Sequence, residues 1–362
     1  MINPFRPTAG AEPPSLIGRD KVVVDFIEGL QGGVGAPGRL MKITGPRGSG
    51  KTVLLTELGE KAANLGWKVV NVAAGADLIP DLVYELEPPV SIEGANLAAN
   101  AMLASADVTV VRKEPNLRAL MKNAAAASNG LLVTVDEVQD ASTEDMQRIA
   151  HSVQLLIREK VDIAFVFAGL PSGVLDVVNG KALTFLRRAV GESLGLINQV
   201  EVGISLTDSF AATGLELAGD QVAQMARATK GYAYLIQLVG YYVWQRADAH
   251  REKDVAVSSG DVELGVDIAM QRFHEDVHEP ALAGLTKGAI EYLLAMCDDE
   301  RASKTSDVAA RMERTTSATS SFRRSLLQRQ VIEVPMRGYV AFAIPFLRDY
   351  LLDNREELLD RF

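Results

Sequence analysis

What the sequence lacks narrows the field first. It has a single cysteine, Cys297, in 362 residues. One thiol rules out an internal disulfide framework and any cysteine-based zinc cluster, and it fits a reducing interior. No apolar run approaches the ~18–20 residues that a membrane-spanning helix needs. The first stretch, MINPFRPTAGAEPP, has none of the apolar core of a signal peptide. Positive charge is also short: the formal net charge is −10, so any nucleic-acid contact has to come from a local patch. Together these absences predict a soluble, cytoplasmic protein with no membrane partner. What is present is ordinary globular material, 48% apolar and 23% charged. The length allows two or three domains with sizeable cores.

The chain is organised around residues Leu40 to Leu58, an apolar run, a glycine-rich turn and a helix-like run. Within it Gly45-Pro46-Arg47-Gly48-Ser49-Gly50-Lys51-Thr52 matches the P-loop pattern G-x-x-x-x-G-K-S/T in full. The glycines permit a tight wrap that turns successive N–H groups toward phosphate oxygens, and the dipole of the following helix adds to them. Lys51 is placed to reach the β- and γ-phosphates. Thr52 offers a hydroxyl to Mg²⁺, which prefers octahedral oxygen ligation. The bland alternative is a glycine-rich turn before an amphipathic helix. Context argues against it: Leu40 to Thr44 reads as a buried strand, and Val53, Leu54, Leu55 and Leu58 read as the buried side of a helix.

Taken in order, residues 1–15 contain Pro4, Pro7, Pro13 and Pro14 without periodicity and predict an extended arm lying on the next domain. A helix is expected from Lys21 to Leu30. The bend Leu16-Ile17-Gly18-Arg19-Asp20 before it is either a helix start with Asp20 as N-cap or a contact to the base of a bound nucleotide. After the P-loop helix, Gly66 is a stop and Trp67 to Val72 is strand-like. Residues 88–115 carry one β-like piece, Val108 to Val111, and no assigned chemistry. Asn116 to Ala127 reads as a helix.

The second chemical marker is Leu131-Leu132-Val133-Thr134-Val135-Asp136-Glu137. A buried parallel strand is a continuous apolar run, and ligands of such sheets bind beyond the strands' carboxyl ends. Asp136 is placed to hold Mg²⁺, and Glu137 to orient or deprotonate an attacking water, the two roles that phosphoryl transfer to water requires. A capped helix from Thr143 to about Lys160 and an apolar strand, Val161 to Ala168, follow. Arg187 and Arg188 then end a helix-like segment. They are candidates for an arginine finger on the γ-phosphate, or simply solvated cations favoured by a helix C-terminus.

From about Leu206 strand signals stop. Asp220 to Thr229 and Tyr234 to Ala249 have helical periodicity, so a small all-helical domain is expected. The last eighty residues change again, with helices at Thr286 to Met296, Ser306 to Met312 and Thr316 to Gln328, and a hairpin from Val331 to Ile344 that turns at Arg337-Gly338. Three helices and a hairpin describe a winged helix. Nine cations lie between Arg301 and Arg348, opposed there only by Asp307, Glu313 and Glu333. Ser317, Thr319, Ser320, Arg323 and Arg324 on the third helix, with Arg337 at the hairpin tip, are candidates for double-stranded DNA contacts. A solvated face used for protein contacts is the alternative.

Together Gly18-Arg19-Asp20, the P-loop, the strand ending in Asp136-Glu137, the helical domain and the terminal hairpin unit resemble the AAA+ ATPases, and within them the origin-recognition and initiator branch. The resemblance implies an α/β fold: a P-loop AAA+ core with a parallel sheet over residues 16–205, a helical lid over 206–278 and a winged helix over 279–362. It implies ATP and Mg²⁺ as cofactors, ATP hydrolysis to ADP, and contact of Ile17, Gly18 and Arg19 with the adenine. Arginine fingers in that family often come from a neighbouring subunit, which would make self-association a further partner interaction. Two departures stand out. The strand after Asp136-Glu137 ends in Ala168-Gly169 where the family carries a polar first sensor, leaving Ser172 as the nearest candidate. The lid has Ala233 and Tyr234 where a second-sensor arginine is usual. Both point to a slow nucleotide switch.

Overall fold

The computed structural model describes residues 1–8, 16–87, 116–180, 184–250 and 255–360. The β-like piece at Val108 to Val111, the later part of the arm and Leu183 lie outside them. The first layer is built on helix α1 (Asp20–Gln31), strand β1 (Leu40–Thr44), α2 (Lys51–Asn64), β2 (Lys68–Ala73), α3 (Leu78–Leu86), α4 (Leu117–Ala126), β3 (Leu131–Asp136), α5 (Thr143–Arg158), β4 (Ile163–Gly169), α6 (Pro171–Asn179) and β5 (Val190–Ser193). The strands form one sheet in the order β2-β3-β4-β1-β5, with every pairing parallel.

Alternation along the strands explains why both faces of this sheet are covered. On β3 and β4 the side chains of Val133, Val135, Ile163, Phe165 and Phe167 enter a core with α3, α4, α5 and α6. Their neighbours Leu132, Ala164 and Val166 enter the opposite core with Met41, Ile43 and the apolar faces of α1 and α2. A fully buried Phe or Leu contributes roughly 1.5–3 kcal/mol, so the two cores fix the strand order firmly. That order places the carboxyl ends of β1 and β3 on either side of β4, beside the start of α2.

Helix α1 begins with Arg19 rather than Asp20 at its cap. The amides of Val22 and Val23 donate to the Arg19 carbonyl at 3.0 and 3.3 Å, which leaves Asp20 as the first helical residue. The arm also lies elsewhere than expected. Phe5 is buried in the helical unit, Asn3 Nδ2 donates to the Tyr241 carbonyl at 3.0 Å, and the Arg6 amide donates to Gln237 Oε1 at 2.9 Å. The driving term is burial of the Phe5 ring against Phe210, 5.7 Å between centroids.

That helical unit comprises α7 (Gln199–Ala211), α8 (Gly219–Thr229), α9 (Ala233–Ala249) and α10 (Ser259–Phe273). The division expected at 205/206 falls inside α7, whose Val202, Leu206 and Phe210 belong to the helical core. A π-helical turn, His274–His278, and a short helix α11 (Glu279–Leu282) lead on to the C-terminal unit. Its elements are α12 (Lys287–Met296), β6 (Ala302–Lys304), α13 (Thr305–Arg311), α14 (Ser320–Gln328), β7 (Ile332–Glu333), β8 (Tyr339–Phe342), α15 (Leu347–Asp353) and α16 (Arg355–Asp360). The sheet β6-β8-β7 is antiparallel, an arrangement consistent with a winged helix. Helix α14 starts four residues later than the sequence pattern suggests. Thr315 Oγ1 accepts from the Ala318 amide at 3.2 Å and Thr319 is buried, so Ser317 sits in a turn before the helix. No helix among the described residues is long and apolar enough to cross a membrane.

Candidate functional site

Between β1 and α2 the chain wraps as the glycines demand. Gly48 and Gly50 take φ of 68° and 89°, left-handed values that cost little only without a side chain. Lys51 is buried, and its Nζ donates back to the Gly45 and Pro46 carbonyls at 3.2 and 3.1 Å. Burial lowers its pKa, against the raising pull of Glu137 and Asp136. Ser49 Oγ is buried without a hydrogen-bond partner among the described residues, a group that an arriving phosphate oxygen would satisfy.

The acids stand opposite. Thr52 Oγ1 donates to Asp136 Oδ2 at 2.5 Å, although 84 residues separate the two. The Glu137 amide donates to Asp136 Oδ1 at 2.8 Å, and Glu137 itself holds a φ of 51°. A hydroxyl and a carboxylate brought together beside an ammonium and an orphaned serine hydroxyl form a hard-oxygen set. It fits Mg²⁺ with a polyphosphate, because Mg²⁺ takes one or two protein oxygens and shares the rest with phosphate and water.

A cavity of about 260 Å³ opens here, lined by Gly48 to Val53, Glu137, Leu16, Ile17 and Arg19, with Arg6, Pro7, Thr8, Ile197, Ala233, Tyr234, Ile236 and Gln237. Of the residues singled out in the sequence, Ile17, Arg19, Gly48, Ser49, Gly50, Lys51, Thr52, Val53 and Glu137 line it, and Asp136 stands one hydrogen bond behind Thr52. Arg19 Nη2 is held on the Gly195 carbonyl at 2.9 Å. Burial lowers the Arg19 pKa and Glu201 pulls it back up.

Other candidates fall outside. Gly18 and Gly45 do not line the cavity. Pro46 and Arg47 face a second cleft of about 800 Å³ between the P-loop, the start of α6 and the C-terminal unit, and Ser172 lines that cleft too. Arg187 donates its Nε to the Val178 carbonyl at 3.1 Å. Neither Arg187 nor Arg188 lines the cavity within this chain, because the segment that carries them lies ahead of β5, the edge strand.

Several contacts at the site carried no sequence signal. Tyr232 Oη donates to the Arg47 carbonyl at 2.5 Å, and a Cβ at Gly48 would sit 2.2 Å from that hydroxyl oxygen. The Tyr234 amide donates to the Gly48 carbonyl at 3.2 Å. Its phenol, bonded to Asp276 Oδ2 at 3.1 Å, is pushed up to about 12 by burial first and by Asp276 second. From the other side Arg47 donates Nη2 and Nε to Gln330 Oε1 at 2.7 and 3.2 Å. The P-loop is thereby bonded to both of the later units.

At the C-terminal unit the expected basic surface is thinner than its charge count. Arg311 pairs with Asp299 at 2.6 Å, Arg314 with Glu291 at 3.2 Å, Arg329 donates to the Ala283 and Gly284 carbonyls, and Arg348 to those of Cys297 and Asp299. The opposing acids, Asp299 and Glu291, lie ahead of Arg301 in the sequence. Arg323 is half-buried, with its Nε buried and without a hydrogen-bond partner among the described residues, so it is not a free surface cation. Arg324 and Arg337 are exposed.

Residues 36–178 match the AAA domain family. In fold, the chain is similar to AAA+ P-loop proteins of the origin-recognition type. The ORC2 protein of Aeropyrum pernix, solved as ADPNP-ADP complexes, superposes with a TM-score of 0.60 at 16% identity, over 98% of this chain and 97% of that one. The Walker-type ATPase of Pyrococcus abyssi gives 0.61 at 13% identity, over 94% and 97%. The Aeropyrum pernix ORC1 protein in complex with DNA gives 0.50 at 16% identity, over 96% and 95%. At such identities the likeness is one of fold, and it extends beyond the AAA domain to the helical and C-terminal units. Residues 275–351 match a domain of unknown function, DUF8462. A comparison with curated proteins finds no match.

Proposed function

We propose that this AAA+ protein is an ATP-dependent switch: nucleotide in the cavity sets the relation of core and lid to a C-terminal winged helix, and slow Mg²⁺-dependent hydrolysis resets it. The observation that carries the reading is the bonding of one P-loop residue, Arg47, to both other units, through Gln330 and Tyr232. A phosphate drawn to the loop's N–H groups acts on the same stretch of backbone that carries both contacts. In this reading Lys51 and the loop amides hold the phosphates, Thr52 and Asp136 hold the metal, and Ile17 and Arg19 face the base. Glu137 takes a proton from water as the water oxygen bonds to the terminal phosphorus and the bond to the ADP oxygen breaks. Bound Mg²⁺ supplies charge neutralisation at the phosphate oxygens. Arg188 or Arg187 acts as a finger only in a neighbouring copy of the chain, since neither lines its own cavity.

DNA is the proposed partner of the winged helix, through Arg324 and Arg337 with Arg323 behind them, in a cytoplasmic setting. A protein partner is the second reading, favoured by the internal bonding of Arg311, Arg314, Arg329 and Arg348. Fluorescence anisotropy with duplex DNA at two salt concentrations, with ATP, ADP or no nucleotide, separates them. Salt-sensitive binding that changes with nucleotide supports the DNA switch, because counterion release follows phosphate contacts. No binding at low salt in any state sinks it and leaves the protein partner.

A further inference from the structure

We propose that Gln139 is the positioning residue of Glu137, a role that rests on the reading of Glu137 as the acid that activates water. Gln139 lies one residue beyond Val138 in the turn after β3, and its amide is used at both ends. Nε2 donates to Glu137 Oε2 at 2.5 Å, while Oε1 accepts from the Leu170 amide at 3.0 Å. A reversed amide would set oxygen against carboxylate and NH₂ against N–H, so the two partners together specify one orientation.

Packing specifies it again. A Cβ at Gly169 would stand 2.6 Å from Gln139 Oε1, and one at Gly173 would stand 2.3 Å from Gln139 Cβ. The end of β4 and the first turn of α6 therefore close over this side chain and leave it one place to lie. Glu137 is thus held twice. Its own amide is pinned to Asp136 Oδ1 at 2.8 Å, with the backbone at a φ of 51°, and its carboxylate is pinned to Gln139.

The contact ties the ends of β3 and β4 together where β4 offers no polar side chain of its own, only Ala168 and Gly169. Glu137 lines the nucleotide cavity and Gln139 does not. The glutamine therefore acts through the acid: with Oε2 fixed, the carboxylate presents Oε1 in one direction. Fixing the orientation of a general base matters because proton transfer needs hydrogen-bond geometry before it needs basicity.

The test uses Q139E, which keeps the chain length and an acceptor for the Leu170 amide but removes the donor to Glu137, and the swapped double variant E137Q/Q139E, which restores a donor–acceptor pair in reverse. Thermal melts of the nucleotide-free protein should show Q139E less stable than wild type and the swap recovering most of the difference. With ATP, Q139E should lose at least about tenfold in kcat, with KM within about twofold; the swap, lacking the acid, should stay inactive. Wild-type turnover in Q139E would reduce Gln139 to a structural bond with Leu170 and overturn the proposal. A swap that melts no higher than Q139E would overturn the contact itself. If the wild type has no ATPase activity, the role of Glu137 fails and this role fails with it, while the melts still report separately on the contact.

Discussion

The nucleotide cradle and the C-terminal unit are both rich in polar and charged groups, yet they treat them in opposite ways. In the cradle the groups are left aimed and partly unsatisfied: Ser49 Oγ has no partner among the described residues, and Lys51 rests on two carbonyls that a phosphate can replace. In the C-terminal unit Arg311, Arg314, Arg329 and Arg348 already have acceptors, from Asp299 and Glu291 or from main-chain carbonyls. A site is marked by what remains to be bonded, and counting charge along a sequence does not reveal that. The internal pairs hold α12 and α13 to the rest of the unit, so their removal should cost stability before it costs binding.

The contrast can be broken most sharply at Glu137. E137Q should bind ATP as the wild type does and turn it over about 10²–10⁴-fold more slowly, measured as single-turnover phosphate release beside equilibrium binding. Unchanged turnover would remove Glu137 from the chemistry. K51A should weaken ATP binding by at least about 100-fold, roughly 2.7 kcal/mol, by titration calorimetry, with the melting temperature little changed.

Next in size is the junction between the helical unit and the C-terminal unit. His278 is fully buried, its Nε2 2.9 Å from the Pro345 carbonyl. Burial pulls its pKa from 6.5 to about 4, only partly offset by that carbonyl. The folded value lies below the unfolded one, so between them the unfolded chain binds the extra proton. Stability should be complete above pH ~6.5 and fall by up to about 3 kcal/mol as the pH approaches 4. Urea unfolding at several pH values checks this, and H278Q should flatten the dependence over that window.

The smallest effects belong to the surface arginines. R348A should lower stability by about 1–2 kcal/mol through two orphaned carbonyls, with DNA affinity per folded molecule unchanged. R324A with R337A should leave stability alone and reduce the slope of log affinity against log salt by about two. The reverse pattern, stability lost at Arg324 and affinity lost at Arg348, would invert the distinction between the two regions.

How much of this was legible in the sequence follows from how local each signal is. The P-loop and the strand ending in Asp136 are contiguous patterns backed by continuous apolar runs, and the sheet places them as their spacing suggests. Strand β5 was not legible, because Val190-Gly191-Glu192-Ser193 at a sheet edge has neither an apolar run nor clear alternation. Helix α7 was hidden by its length of exposed apolar residues, Val200 and Ile204 among them, which blur helical periodicity. Tyr232 and Gln330 reach the P-loop across 185 and 283 residues, beyond anything a local pattern encodes. Gln139 is the exception, two residues from Glu137. Its importance depends on the glycines at 169 and 173 that make room for it, and that pairing is visible only in three dimensions.

The seating of the N-terminal arm has a consequence in time. Asn3 bonds to a carbonyl 238 residues further along, and Phe5 closes against Gly240 and Phe210. A ribosome adding about 5–20 residues per second takes roughly 10–50 s to deliver that half of the contact. Throughout that interval the contacts that Asn3 and Phe5 make with α9 cannot form, so one wall of the nucleotide cavity, Arg6 to Thr8, is completed only after most of the helical unit has been synthesised.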